Sequence, residues 1–197
     1  MFPVKSILMA LALAVTAPLT IASTAYAQGT KVIVIDSGRI ITESKAGQDI
    51  RTKLQGIETQ MRAELQPDAT VLESEGKAIE TKTANMTPEA MRADAALKTE
   101  VEAYARKAND FNRKRQIVAQ ELALTERDAL IKMNNAIATV LRDVVSETGA
   151  NVVMERSSIV FSDEATDVTA SVISKLDAAT PTIAVSRQKL PAQQPQQ

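Results

Sequence analysis

The chain has no cysteine, no histidine and no tryptophan in 197 residues. Without cysteine there is nothing for an oxidising compartment to cross-link. Without histidine or cysteine the usual zinc sites, Cys–His nucleophiles and Ser–His–Asp triads are excluded. Aromatics are equally scarce. Outside the first 27 residues only Tyr104, Phe111 and Phe161 remain. That is thin material for a globular core or a small-molecule pocket. No phosphate loop is present, which argues against nucleotide binding. The carboxylates Glu73, Glu75 and Glu80 could be drawn as a catalytic pair, but no surrounding pattern encloses them, so no enzyme is expected.

The start of the chain reads as a secretory signal. Lys5 supplies a positive n-region, Ile7 to Val15 an apolar run, and Ala25-Tyr26-Ala27 a small-x-small cleavage site. The run is too short to span a bilayer. An exported mature protein beginning at Gln28 is therefore expected. Its net charge is −2, which gives no general case for nucleic-acid binding.

Strand signals are few and far apart. "KVIVID" (residues 31–36) carries four consecutive β-branched residues, Val32, Ile33, Val34 and Ile35. The next candidates are "NVVMERS" (151–157), with Val152 and Val153, and "IVFS" (159–162), with Val160 and Phe161, close enough together to suggest a hairpin. A strand cannot stand unpaired, so residues 32–35 are expected to pair with this distant group.

Helix signals fill the interval. From Ser44, a good N-cap, apolar residues recur as Ile50, Leu54, Ile57, Met61 and Leu65, then Leu72 and Ile79. Pro67 interrupts this first arm, and Gly56 and Gly76 weaken it, so a bend or hinge is expected near Gln66-Pro67-Asp68. "ANMTPEAM" then reads as a turn and a fresh start, with Thr87 as N-cap and Pro88 in the first turn. The second helix is expected to run from Pro88 to Thr148, on the order of 90 Å. Its stripe is Leu97, Val101, Tyr104, Ala108, Phe111, polar Arg115, Val118, Leu122 and polar Thr125. The phase then slips to Leu130, Met133, Ile137, Val140 and Val144. If the chain folds back near Met86, Ser44 lies level with residue 128, and the slip falls where the second helix runs out of partner. An antiparallel helical hairpin explains both facts. Gly149 is a natural helix stop, and a last helix follows Asp167 with Val168, Val172, Ile173 and Leu176 on one face. The Pro/Gln-rich segment 181–197 is expected to be disordered.

The expected fold class is therefore α+β, mostly α: a small β body with a long coiled-coil-like hairpin spanning about 44–148. Residues 28–43 and 129–180 would form the body and 44–128 the projecting arm. Three short strands and one helix make a poor core with exposed edges, and association of several copies through Val32–Ile35, Val152, Val153, Val160 and Phe161 is the economical remedy.

Four segments, "KVIVIDSGRI", "ESKAGQDI", "ANVVMERSSIVFSDEATDVT" and "DVTASVISKL", flank the hairpin in an order and spacing that resembles the Skp (OmpH-like) periplasmic chaperones of Gram-negative bacteria. The resemblance implies a homotrimer with a β-barrel-like body and three helical tentacles around a cavity. It implies an ATP-independent holdase for unfolded outer-membrane proteins, located in the periplasm, with no cofactor, metal or nucleotide. A structural coiled-coil adaptor of the cell envelope is the rival reading.

One departure stands out. Members of this family are often strongly basic, whereas this sequence has a pI near 5.7. Residues 77–115 are nevertheless net +3, leaving the rest of the mature chain at −5. Candidate client contacts on the arm are Lys77, Lys82, Met86, Met91, Arg92, Arg106, Lys107, Arg113, Lys114 and Arg115. The basic members could meet clients, lipopolysaccharide or an anionic membrane surface; taken singly, they read better as a solvated helix face paired locally with Glu102 and Asp110. Met86 and Met91, at the expected tip, offer adaptable apolar contact. Met61 and Met133 read better as seam packing, and Pro67 as either a hinge or a static kink.

Overall fold

The computed structural model describes residues 29–191. The expected signal segment, residues 1–27, lies outside them. In chain order the elements are β1 (Val32–Ile35), α1 (Ser37–Glu43), α2 (Lys45–Thr83), α3 (Pro88–Ala93), α4 (Ala95–Thr148), β2 (Val152–Glu155) and α5 (Thr169–Ala179). No helix among the described residues is long and apolar enough to cross a membrane.

β1 does pair with the distant segment, and the pairing is parallel: Val32 with Val152, Ile33 with Val153, Val34 with Met154, Ile35 with Glu155. Parallel strands need a long crossover connection, and here the helical arms supply it. The expected hairpin between 151–157 and 159–162 does not form. After β2 the chain makes a 3₁₀ turn at Arg156–Ser158, and Val160 and Phe161 stand 106% and 87% exposed. Only Ser158 would have separated the two strands, and no glycine or asparagine supplies the left-handed residues a tight hairpin requires. The free edge of β1 is met instead by the lead-in to α5, where the Val168 N–H donates to the Val34 carbonyl at 3.0 Å.

The hairpin forms with the expected punctuation. The Ser44 hydroxyl, fully buried, accepts the Gly47 N–H at 3.2 Å and caps α2. Gly47 is required by close approach: a Cβ there would lie 1.7 Å from the Ile41 carbonyl oxygen. Thr87 caps α3 and Pro88 sits in its first turn. The second helix is broken where continuity was expected. Asp94 takes an extended conformation, and its carboxylate accepts the N–H groups of Ala96 and Leu97, both at 2.9 Å. A short polar side chain has here satisfied the donors of a new helix start in place of the old helix. Gly149, at φ 66°, closes α4 in the left-handed conformation. α2 continues through Pro67, whose missing N–H leaves the Ala63 carbonyl without its usual partner.

The core lies at the base of the hairpin. Ile33 and Ile35 pack with Ile40 of α1, Met133, Ile137, Val140 and Val144 of α4, and Val172 and Leu176 of α5. From Val118 onward the buried stripe of α4 runs Val118, Glu121, Thr125, Ala129, Met133, Ile137, Val140, Val144. Successive steps of four at Ala129, Met133 and Ile137 form a stutter, which turns the stripe as α4 passes from the arm to the core. The expected slip is thus at Ala129; Leu130 is 48% exposed.

The segment from Pro181 corrects the expectation of disorder over 181–191. Ile183 is 6% exposed and belongs to the core cluster. The residues after it lie extended along the flank of the arms. Residues 192–197 are outside the described part of the chain.

Candidate functional site

α4, with 54 residues, extends about 80 Å, and α2, with 39, about 60 Å. Polar ties cross between the arms at intervals. Lys82 Nζ lies 2.6 Å from Glu100, Lys107 pairs with Glu75, and Lys114 reaches Asp68 at 2.7 Å and the Glu64 carbonyl at 3.1 Å. Lower down, Arg187 of the C-terminal segment joins Glu64 of α2 to Glu121 of α4, 2.7 Å from each.

This geometry sorts the ten candidate arm residues. Lys82, Lys107 and Lys114 tie the arms together. Lys77 and Arg113 pair along their own helices, with Glu73 at 2.7 Å and Asp110 at 3.1 Å. The hydrogen bonds to Glu73 and Glu100 raise the affinity of Lys77 and Lys82 for their protons. Arg115 lies over the Phe111 ring, 5.8 Å from its centroid. Among the described residues Arg92 and Arg106 have no ion pair. Met86 and Met91 are half-buried near the tip, and Met91 and Arg92 share a cleft with Leu97, Lys98 and Val101. Met61 and Met133 are 2% and 1% exposed, as seam packing requires.

The two flanks of the seam differ. One flank carries an open groove of about 830 Å³ lined by Met61, Leu65, Val118, Leu122 and the stem of Arg115. Glu58 and Leu122 also line a second depression of about 400 Å³, which runs down past Leu54 and Leu130 toward Ile41. The groove is apolar at its floor and charged at its rim. The other flank is covered by residues 183–190.

That covered flank is what sequence reasoning missed. Thr125 registers in the sequence as a polar break in the stripe. In the structure it is fully buried and accepts the Gln188 N–H at 2.9 Å. Glu121, 6% exposed, accepts from Arg187 and from the Leu190 N–H at 3.2 Å. Asp49 accepts from Lys53 at 2.6 Å and from the Ile183 N–H at 2.9 Å, and both bonds hold its carboxyl below the usual range. The Arg187 guanidinium does the same for Glu64.

The model of the outer membrane protein (OmpH-like) family matches residues 31–176, about three quarters of the chain. The chain belongs to that family. A crystal structure from Caulobacter crescentus CB15, of a protein proposed to be an OmpH-like outer membrane chaperone, shares the architecture. The TM-score is 0.70 at 27% identity, covering 82% of this chain and 92% of that one. No curated protein matches the chain. The covered flank of this OmpH-like protein is built by residues 183–190, beyond the end of the family match.

Proposed function

We propose that this OmpH-like protein is an ATP-independent periplasmic holdase chaperone that binds unfolded outer-membrane β-barrel proteins between helical arms and keeps them from aggregating. The observation that carries the reading is the hairpin with its open groove: two long arms project from a small core and present an apolar floor with a charged rim to their surroundings. Unfolded β-barrel chains carry alternating apolar segments that associate edge to edge. Many weak contacts to such segments hold them without committing them to a structure. Release needs no nucleotide when the client's own folding elsewhere withdraws it.

The working unit on this reading is a homotrimer. The two-stranded sheet leaves Val152, Val153 and Met154 about 37–38% exposed, and Val160 and Phe161 almost wholly so. Apolar residues in such a cluster are suited to burial by other copies. Pro67 serves as the hinge at which the arms adapt to clients of different size. The cleft with Met91 and Arg92 and the groove with Arg115 are the client-facing surfaces. Arg92 and Arg106 also suit contact with lipopolysaccharide or an anionic membrane surface.

The test is light scattering coupled to size exclusion. The protein is run alone and after rapid dilution into it of a urea-unfolded outer-membrane β-barrel protein. A trimer mass that becomes trimer plus one soluble client is expected. A monodisperse oligomer that lets the client aggregate overturns the holdase and favours a structural adaptor of the envelope.

A further inference from the structure

We infer that the flank of the hairpin covered by residues 183–190 is a binding site for extended polypeptide, occupied at rest by the chain's own C-terminal segment and yielded to an extended segment of an unfolded client. The proposal rests on the holdase reading and names a surface for it that lies opposite the open groove.

The contacts themselves point to a peptide site. Five of them are made to backbone atoms of the segment. Asp49 accepts the Ile183 N–H, Lys53 donates to the Ile183 carbonyl at 2.8 Å, and Lys132 donates to the Ala184 carbonyl at 3.0 Å. Thr125 and Glu121 accept the N–H groups of Gln188 and Leu190. Every extended chain carries these groups, so the flank reads conformation more than sequence. The donors and acceptors come from both arms, as in a strand-receiving groove. Three residues are read by side chain: Ile183, which is buried, Arg187, which is paired to two carboxylates, and Gln188, whose amide N–H donates to Asp128 at 3.5 Å.

The helix surface is built for this at a cost. A coiled-coil seam asks for leucine or isoleucine, yet α4 places Glu121 and Thr125 there, both buried. A buried carboxylate is unfavourable without a partner. Its partners belong to the segment, so the segment and the seam are matched to one another.

Tethering makes the segment a competitor at an effective concentration of roughly millimolar. A client with one extended stretch displaces it poorly. A long unfolded chain that engages several sites displaces it readily, and the segment returns as the client folds and leaves. That return gives an ATP-free step favouring release.

Two measurements on the full chain test this. In the first, hydrogen exchange of residues 181–191 is followed by mass spectrometry with and without the diluted, urea-unfolded β-barrel protein, whose aggregation is read by scattering. Client binding is expected to speed exchange in this segment while residues 118–132 stay covered, and Arg187→Ala is expected to hold the client about tenfold more tightly. A segment that stays protected while client is held, or an unchanged affinity in Arg187→Ala, overturns the exchange. In the second, a labelled synthetic peptide with the sequence of residues 181–191 is titrated into the Arg187→Ala chain. Saturable binding, weakened when the peptide itself carries Arg187→Ala, supports the site. No binding up to roughly millimolar peptide overturns it. Peptide binding without any holding of client keeps the site and sinks the holdase reading.

Discussion

The guanidinium of Arg187 lies 2.7 Å from a carboxylate oxygen of Glu121, a residue only 6% exposed in the seam of α4. The same guanidinium reaches Glu64 on α2 at 2.7 Å. One side chain from an irregular segment thus pins both arms at one level, three residues short of Pro67. Above that level the arms are tied by partly exposed lysine pairs, whose individual worth is small.

Arg187→Ala therefore has a bounded cost. It does not strand a buried charge permanently, because a released segment uncovers Glu121 to water. The loss is limited to what docking of the segment contributes, about 1–3 kcal/mol for a charge-assisted bond of this kind. Urea unfolding followed by circular dichroism measures it. A loss well above this range would mean that Glu121 stays buried and unpaired in the variant.

Two glycines on the same helix should respond oppositely to alanine. At Gly47 an added Cβ meets the Ile41 carbonyl oxygen at 1.7 Å, so the α1–α2 junction must move. Gly47→Ala is expected to destabilise by about 2–3 kcal/mol, the range of overpacked sites. At Gly56 nothing lies within 4 Å, and the residue is exposed inside α2. Gly56→Ala is expected to stabilise by about 0.5–1 kcal/mol through helix propensity. Thermal melts of the two variants side by side decide the matter, and equal shifts would contradict the close approach at Gly47.

Much of this local architecture is written in short motifs. The caps at Ser44 and Thr87, the stop at Gly149 and the strand at 32–35 all depend on chemistry within a few residues. What could not be read depends on distant partners. The composition of Ile159 to Phe161 signals burial, but not what does the burying, and a β-branched, aromatic stretch suits an interface as well as a strand. The break at Asp94 is a contest between one side chain and a continuous helix, and periodicity does not register it. Docking of residues 183–190 hangs on contacts across more than sixty positions, to Thr125 and Glu121, which look in the sequence only like flaws in a stripe.

Val160 and Phe161 give a test of assembly that is separate from folding. They are almost fully exposed in the single chain, so Phe161→Ser is expected to change the stability of the isolated fold by no more than about 0.5 kcal/mol. If the trimer is held through this cluster, the double substitution Val160→Ser with Phe161→Ser lowers the mass by light scattering at unchanged helical content. An unchanged mass would place the contact between copies elsewhere.

Acid should release the C-terminal segment before it melts the arms. Glu64 and Asp49 both have carboxyls held below their ordinary range, Glu64 by Arg187 and Asp49 by Lys53 and the Ile183 N–H. The charges facing them are Arg187, Lys114 and Lys189 at Glu64, and Lys53 at Asp49. A carboxylate with a depressed pKa in the docked state contributes its stabilisation fully above its free value. That contribution is lost as pH falls through the docked value. Docking should thus be independent of pH from neutrality down to about pH 4–5 and weaken below it. Because the chain has no cysteine, a Ser186→Cys variant takes a single fluorophore on an exposed position of the segment. Its anisotropy is expected to fall on acidification while the far-ultraviolet helical signal persists. Arg187→Ala should start from low anisotropy and show little change. A label that stays immobilised until the helices themselves melt would show that hydrophobic seating of Ile183 outweighs the ion pairs in holding the segment.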